Sequence, residues 1–513
     1  MAGKESKLGL VVAGLLLGIF IAAIDNTIVA TAMGTIVGEL GGLEQFVWVT
    51  SAYLVAEMAG MPIFGKLSDM YGRKRFFVFG LATFMVGSML CGTADSIVQL
   101  SIYRAIQGIG GGALMPISFA IMFDAIPPEK RGKMGGLFGA TFGLSSIFGP
   151  LLGAYITDYI GWRWIFYINV PLSVVALALV VFYYHESKRH ARQIIDWSGA
   201  ITLVGAVICL MFGLELAGSE YAWGSPQIIS LFAGFAVLFA AFLYVETKAL
   251  EPIVSFRMFG YRLFAASNLV GLFSGAAFIT ASIYIPIHIQ GVLGGSATNS
   301  GLILLPMMLS SVVAATTGGI LMNKLSYRRI MLVFTAVFVV GMALLSTITA
   351  ETSRWLITIY MIITGLGIGA SFSVLSNAVI HHFDETQRGS ASSTFSFLRS
   401  LGMTLGISVF GILQREELTA RLAEAFAGQG AAPAGLADPR KLLQPEERLK
   451  LPEPVLDLIK DALAGSIAYT FLWATLPAVL SLAFVLLMSK EKLLLPVPKD
   501  EDVSGTIRPA KVR

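Results

Sequence analysis

Four ionisable side chains stand inside long apolar runs. Asp25 lies in "GIFIAAIDNTIVATAM", Glu57 in "SAYLVAEMAGMPIF", Arg104 in "SIYRAIQGIGGGALMP" and Arg399 in "FSFLRSLGMTLG". A lone charge at mid-membrane costs several kcal/mol at least, so it persists only with a partner or a task. A carboxylate beside a fixed guanidinium keeps its charge, whereas one that is buried without that partner takes up a proton. An acid and a base on neighbouring helices can therefore bind a proton in one conformation and release it in another. If the first run ends near Met33 and the fourth begins near Ile97 on the same side, Asp25 and Arg104 both lie roughly 10 to 12 Å below that surface at 1.5 Å per residue. A purely structural reading stays open: Arg104 fastens its helix to a carbonyl or to Gln107 while Asp25 caps local structure. Glu57 and Arg399 divide in the same way between binding and structural roles, with Asn26 and Gln107 as polar neighbours.

The elements that carry these residues are membrane spans. Of 513 residues, 56% are hydrophobic and 13% charged, and the mean hydropathy is +0.76, outside the range of soluble domains. The net charge of +4 is spread over loops, which argues against nucleic-acid binding. Cys91 and Cys209 fall in apolar runs and read as small hydrophobes. Runs of about 20 apolar residues, enough to cross about 30 Å of hydrocarbon, centre near Phe20, Val55, Met85, Ala113, Ser145, Ala176, Val207, Val237, Ser274, Ser310, Phe338, Gly365, Leu405 and Ala478. That predicts an all-α integral membrane protein with fourteen spans, the first an uncleaved helix. Lys and Arg concentrate in alternate loops, among them Lys66, Arg73, Lys74, Arg75, Lys130, Arg131, Arg328, Arg329 and Arg388, which places both termini in the cytoplasm. The segment 414–465 is expected outside, as short amphipathic helices joined by a loop.

The fourth and twelfth spans align without a gap. Gly108, Gly110, Gly112 and Ala113 fall on Gly365, Gly367, Gly369 and Ala370, and the same offset brings Arg131 and Gly132 onto Arg388 and Gly389. A nearby offset lays "GKLSDMYGRKR" over "GILMNKLSYRR", with Asn323 in the place of Asp69. An internal repeat of this length predicts an N-terminal six-helix bundle over 1–190, two inserted helices over 191–260, a C-terminal six-helix bundle over 261–490 and a tail over 491–513, with a substrate site between the bundles. No P-loop, HExxH or GxSxG pattern is present, so the chain reads as a carrier rather than an enzyme. His185, His190, His288, His381 and His382 are not spaced as a metal cage, and no metal is expected. His381 and His382 read as surface residues at a helix end.

These motifs resemble the major facilitator superfamily, and within it the fourteen-span drug:proton antiporters of the EmrB/QacA-like group. "GKLSDMYGRKR" is similar to the loop between the family's second and third spans, "RAIQGIGG" to the arginine motif of its fourth, and "GLFGATFGLSSIFGPLLGA" to the antiporter motif of its fifth. "AIDNTIVATAM" and "GWRWIFYINVP" resemble marks of the fourteen-span group. Gly34 replaces a usual proline, Ser145 and Ala154 replace usual glycines, and the extra acid of the dication exporters is absent from the tenth span.

The resemblance implies a monomeric, proton-coupled multidrug efflux antiporter in the inner membrane of a bacterium or archaeon. It would export lipophilic cationic or neutral compounds, draw on the proton motive force and need no cofactor. An exporter of an endogenous lipid or secondary metabolite, or a non-transporting receptor on the same scaffold, stands as the alternative. Asp25 and Arg104 are expected to couple protons, with Glu57, Gln107 and Asn26 binding substrate or proton. Asp69, Gly72 and Arg73 are expected to form a conformational latch, with Asp69 near a helix N-terminus and paired with a basic residue. Gly149, Pro150 and Gly153 form the antiporter motif, and Arg399 is a residue of the second half with a possible part in the cycle. The 34 Phe and 20 Met residues suit a deformable apolar cavity.

Overall fold

The computed structural model describes residues 7–41, 47–126, 128–186, 196–217, 221–295, 297–384, 386–427 and 452–492. Among these the structure is all helical apart from an isolated bridge between Ala217 and Tyr221. The long helices are α1 (Leu8–Leu40), α2 (Val47–Tyr71), α3 (Arg73–Cys91), α4 (Ile97–Ala125) and α5 (Pro128–Tyr159). A four-residue turn, α6 (Trp164–Tyr167), leads into α7 (Asn169–Tyr183). There follow α8 (Trp197–Leu216), α9 (Pro226–Lys248), α10 (Arg262–Gly291), α11 (Ala297–Leu321), α12 (Tyr327–Leu345), α13 (Arg354–Ala378), α14 (Arg388–Ala425) and α15 (Glu453–Leu487). Among the described residues, twelve helices are long and apolar enough to cross a membrane. The helices α2 and α5, which hold the second and fifth runs read from the sequence, are not among those twelve; they pack beside α4 and α1 respectively.

Helices α1 to α4 and α7 share one apolar core around Leu15, Phe77, Phe84 and Ile117, while α10 to α15 share another around Ile285, Met307, Phe338 and Phe471. The glycines of the repeat do the same work in both. A Cβ on Gly108 would lie 2.3 Å from the Tyr53 carbonyl, and one on Gly110 would lie 2.3 Å from the Phe84 nitrogen. At Gly365 and Gly367 the corresponding distances are 2.1 Å to the Met307 carbonyl and 2.2 Å to the Phe338 nitrogen. Both ladders therefore bring backbone against backbone, and any side chain would force the helices apart.

The pair α8 and α9 docks on α2. Ser51 hydrogen-bonds Glu215, Lys66 pairs with Glu251 at 2.8 Å, and Val55, Met58 and Ala59 pack on Leu203, Val207 and Met211. At the far end of α1, Glu39 accepts hydrogen bonds from Trp162 (2.7 Å) and Arg163, which hold its carboxyl below the usual range.

One expectation is corrected. The stretch "REELTARLAEA" does not begin a separate amphipathic helix; it continues α14, which runs unbroken for 38 residues, about 57 Å. Helix α15 likewise starts at Glu453 and continues through "PVLDLIKDAL". Leu418, Leu422 and Phe426 pack on Ile459 and Leu463, and Gln414 donates to Ser466 Oγ at 3.1 Å. The extension is amphipathic because one face meets α15, so periodicity alone could not mark where the helix leaves the bilayer. Residues 428–451 of that loop lie outside the described residues, as do 493–513 of the tail.

Candidate functional site

Asp25 and Arg104 meet. The Arg104 guanidinium donates through Nη1 to Asp25 Oδ2 and, at 2.7 Å, to Gln107 Oε1; its Nε donates to the Val49 carbonyl at 3.3 Å. The Tyr53 ring lies under the guanidinium, 4.2 Å from ring centre to Cζ. Asp25 Oδ1 accepts from Gln107 Nε2 at 2.9 Å and from Asn169 Nδ2 at 2.8 Å. The same two amides reach Ser88 Oγ, at 3.2 and 3.0 Å, and Ser88 donates to the Phe166 carbonyl. Asp25, Arg104, Gln107 and Asn169 are all fully buried. Arg104 and Gln107 are three apart on α4 and so share a face. Asn169 arrives because the turn α6 carries the chain back to the head of α7.

Glu57 lies beside this cluster, within electrostatic reach of Arg104 and Asp25. It is half-buried between α1, α2 and α4, beside Asn26, with a Cβ on Gly111 falling 3.7 Å from its Cγ. Asn26 itself donates weakly to the Ala22 carbonyl (3.5 Å), and its Oδ1 has no hydrogen-bond partner among the described residues. A separate apolar groove of about 280 Å³, lined by Trp48, Ala52, Val98, Ser101, Ile102 and Ala105, lies on the outer side of α2 and α4 and does not reach these carboxylates.

At the other end of α2, Asp69 crosses between the two helix groups. Its carboxylate accepts from the backbone N–H of Gly389 (2.9 Å) and Ser390 (2.7 Å) and from Ser390 Oγ (3.3 Å), so it caps the N-terminus of α14. Arg73 Nη2 donates to Asp69 at 3.1 Å, and Arg73 Nη1 reaches Asp124 and the Ala120 carbonyl. Arg388 donates to the other oxygen of Asp124 at 2.8 Å. Gly72, the residue between α2 and α3, has φ 108°, a backbone conformation that favours glycine. A Cβ on Gly389 would lie 2.4 Å from Asp69 Oδ1. The latch therefore needs a glycine on each side.

Gly149 and Gly153 lie against α1, where Cβ atoms would fall 1.9 Å from Thr27 Oγ1 and 2.2 Å from Thr31 Oγ1. Pro150 stands inside α5 between them and removes one helical donor. Arg399 lies in α14 with its guanidinium 4.0 Å from the centre of the Phe372 ring, and no carboxylate partner occurs among the described residues. It is not brought to Asp25. Sequence reasoning missed Asn169, Ser88 and Tyr53, which carry no formal charge. The one available signal was that Asn169 belongs to "GWRWIFYINVP", a motif singled out without assigning its asparagine.

The family model described as Major Facilitator Superfamily matches residues 15–407 and again 266–494. The chain is 53% identical over 495 residues to multidrug resistance protein 3 of Bacillus subtilis, covering 96% of this chain and 97% of that protein. It is 38% identical over 409 residues to the multidrug transporter protein MdtP of the same organism, covering 80% of this chain and 76% of the other. An efflux pump of the fungus Dothistroma septosporum, dotC, is 31% identical over 500 residues, covering 96% and 86%. Among solved structures, the human organic anion transporter MFSD10 superposes with a TM-score of 0.60 at 16% identity, over 94% of this chain and all of that one, a likeness of fold.

Proposed function

The chain belongs to the Major Facilitator Superfamily, and from that premise we propose that it is a multidrug efflux antiporter, exporting lipophilic cationic or neutral compounds in exchange for protons moving inward. The names of its relatives support efflux of drug-like compounds. Proton coupling goes beyond those names and rests on the buried ion pair. The driving force is the proton gradient, no cofactor takes part, and the protein acts as a monomer in the inner membrane of a bacterium or archaeon. Fourteen helices span the bilayer, grouped as 1–190, 191–260 and 261–490, with the Asp69 end and both termini in the cytoplasm.

The observation that carries the reading is the sealed pair of Asp25 and Arg104. Two donors to Asp25 come from α4 and a third from α7, while the acid itself rides on α1. A shift of α1 against α4 removes the guanidinium and an amide together and leaves a buried carboxylate that must take a proton. We assign half-buried Glu57, beside Asn26, the part of meeting a cationic substrate. Asp69 and Arg388 hold the cytoplasmic end shut while the other end admits release, because their contacts exist in one state only. Gly149, Pro150 and Gly153 let α5 ride closely on α1 during the change.

Export of a lipophilic dye from energised cells, with an uncoupler as control, tests the reading. Asp25→Asn keeps the shape and cannot carry the proton, so uphill export should disappear with protein still in the membrane. Undiminished uphill export by that variant would remove Asp25 from the proton path.

A further inference from the structure

Three metal-ligating side chains converge on the latch side of the molecule, away from the buried pair. His381 and His382 lie in the turn between α13 and α14, and Glu491 lies just past α15; one donor atom from each falls within 4.8 Å of the others. We propose that His381, His382 and Glu491 bind one divalent transition-metal ion of the zinc class, and that the ion ties the end of α15 to the turn leading into the Asp69 latch.

The donor spacing fits. His382 Nε2 is 2.7 Å and His381 Nε2 is 3.5 Å from Glu491 Oε2. Ligands about 2.0 to 2.1 Å from a tetrahedral zinc lie roughly 3.3 Å apart, so small side-chain rotations centre an ion among these atoms. Two imidazoles and one carboxylate also form a donor set that suits zinc, cobalt or nickel better than magnesium or calcium.

The supporting groups are those a metal site needs. His381 Nδ1 lies 3.2 Å from the Tyr327 hydroxyl, which can accept the Nδ1 proton and leave the Nε2 lone pair facing Glu491. The His382 ring stacks on Tyr261, with 4.8 Å between centroids and 21° between planes. Glu491 is held by its backbone as well, through Tyr327 N–H to its carbonyl at 3.0 Å, and Arg262 Nε donates to the Leu487 carbonyl at 2.6 Å. Glu491 Oε2 is buried, and its polar neighbours among the described residues are the Nε2 atoms of the two imidazoles. His382 is exposed, so a fourth position on the ion opens to water. The site lies outside the transport machinery yet close to it, since the same turn continues through Arg388 to Gly389 and Ser390.

The test uses the full-length protein with any affinity tag removed, titrated with Zn²⁺ by calorimetry and with Co²⁺ by visible absorption. One ion per chain should bind, Co²⁺ should give a tetrahedral spectrum, and Zn²⁺ should raise the thermal midpoint. His382→Asn and Glu491→Gln should each weaken binding by about tenfold or more, with metal-free thermal midpoints near wild type. Asp457→Asn, at the start of α15 on the opposite side, should bind as wild type does. Saturable binding that survives in the His382→Asn, Glu491→Gln double variant would overturn the assignment. So would a wild-type protein that binds no Zn²⁺, the contacts then being an ordinary histidine–carboxylate pair.

Discussion

Replacing Asp69 by asparagine isolates the latch from the rest of the cycle. The Asp69 side chain is fully buried and accepts four hydrogen bonds, from Gly389 N, Ser390 N, Ser390 Oγ and Arg73 Nη2. Hydrogen bonds to a charged group contribute about 1.5 to 3 kcal/mol each, and a negative charge at a helix N-terminus adds up to about 2 kcal/mol. Asparagine keeps one acceptor oxygen and turns an amide N–H₂ toward the donors at the other, so two of the four contacts and the negative charge at the α14 N-terminus are lost. A net change of about 2 to 4 kcal/mol against the closed state follows, which is roughly 30- to 700-fold in the closed-to-open equilibrium at 1.4 kcal/mol per tenfold. Spin labels at Tyr71→Cys and Asp384→Cys, both exposed, report the separation of the two sides by pulsed electron resonance. The variant should move the population from the short distance to a long one, while equilibrium affinity for a fluorescent substrate stays within a few-fold. An unchanged distance distribution in a folded Asp69→Asn protein would refute the latch.

The buried pair gives further expectations. Arg104→Ala leaves Asp25 uncompensated and should cost about 3 to 5 kcal/mol of stability, read as a lower unfolding midpoint in detergent; the Asp25→Asn, Arg104→Ala double variant should recover part of it. Asn169→Leu removes one donor from Asp25 and should cost about 1 to 3 kcal/mol, with a shifted pH profile of export that a purely structural asparagine would not give. At the opposite end, Glu39 titrates below the ordinary carboxylate range. Its contact with Trp162 and Arg163 should therefore persist through mild acid and be lost only as pH falls through the lowered value, seen as faster amide exchange at 160–166 that Glu39→Gln shows at neutral pH already.

The pairing of Asp25 with Arg104 was legible because depth puts the two charges at one level and the family resemblance sets the first and fourth spans side by side, and Gln107 because it follows Arg104 by one turn. Asn169 and Ser88 were not legible: an amide or hydroxyl in an apolar run costs little enough to occur anywhere, and only the return of the chain at α6 shows which ones matter. Asp69 was readable as an acid near a helix N-terminus. Its main partners are backbone amides, which leave no trace in residue type, although the alignment of Arg131 and Gly132 with Arg388 and Gly389 had already marked the place. The clustering of Glu491 with His381 and His382 was hidden for a similar reason, because the third donor comes from beyond a separate helix. The glycine register shared by α4 and α13 was the most informative pattern, since each glycine answers to a backbone contact repeated in the second half.

Coupling itself is tested most directly in vesicles containing the purified protein with its Asp69 end outward and an acidic lumen. The account predicts that a lipophilic cationic dye accumulates in the lumen against its gradient, that protons leave the lumen faster when dye is added, and that both effects vanish in Asp25→Asn. Dye accumulation that continues undiminished after the pH gradient is collapsed would contradict it.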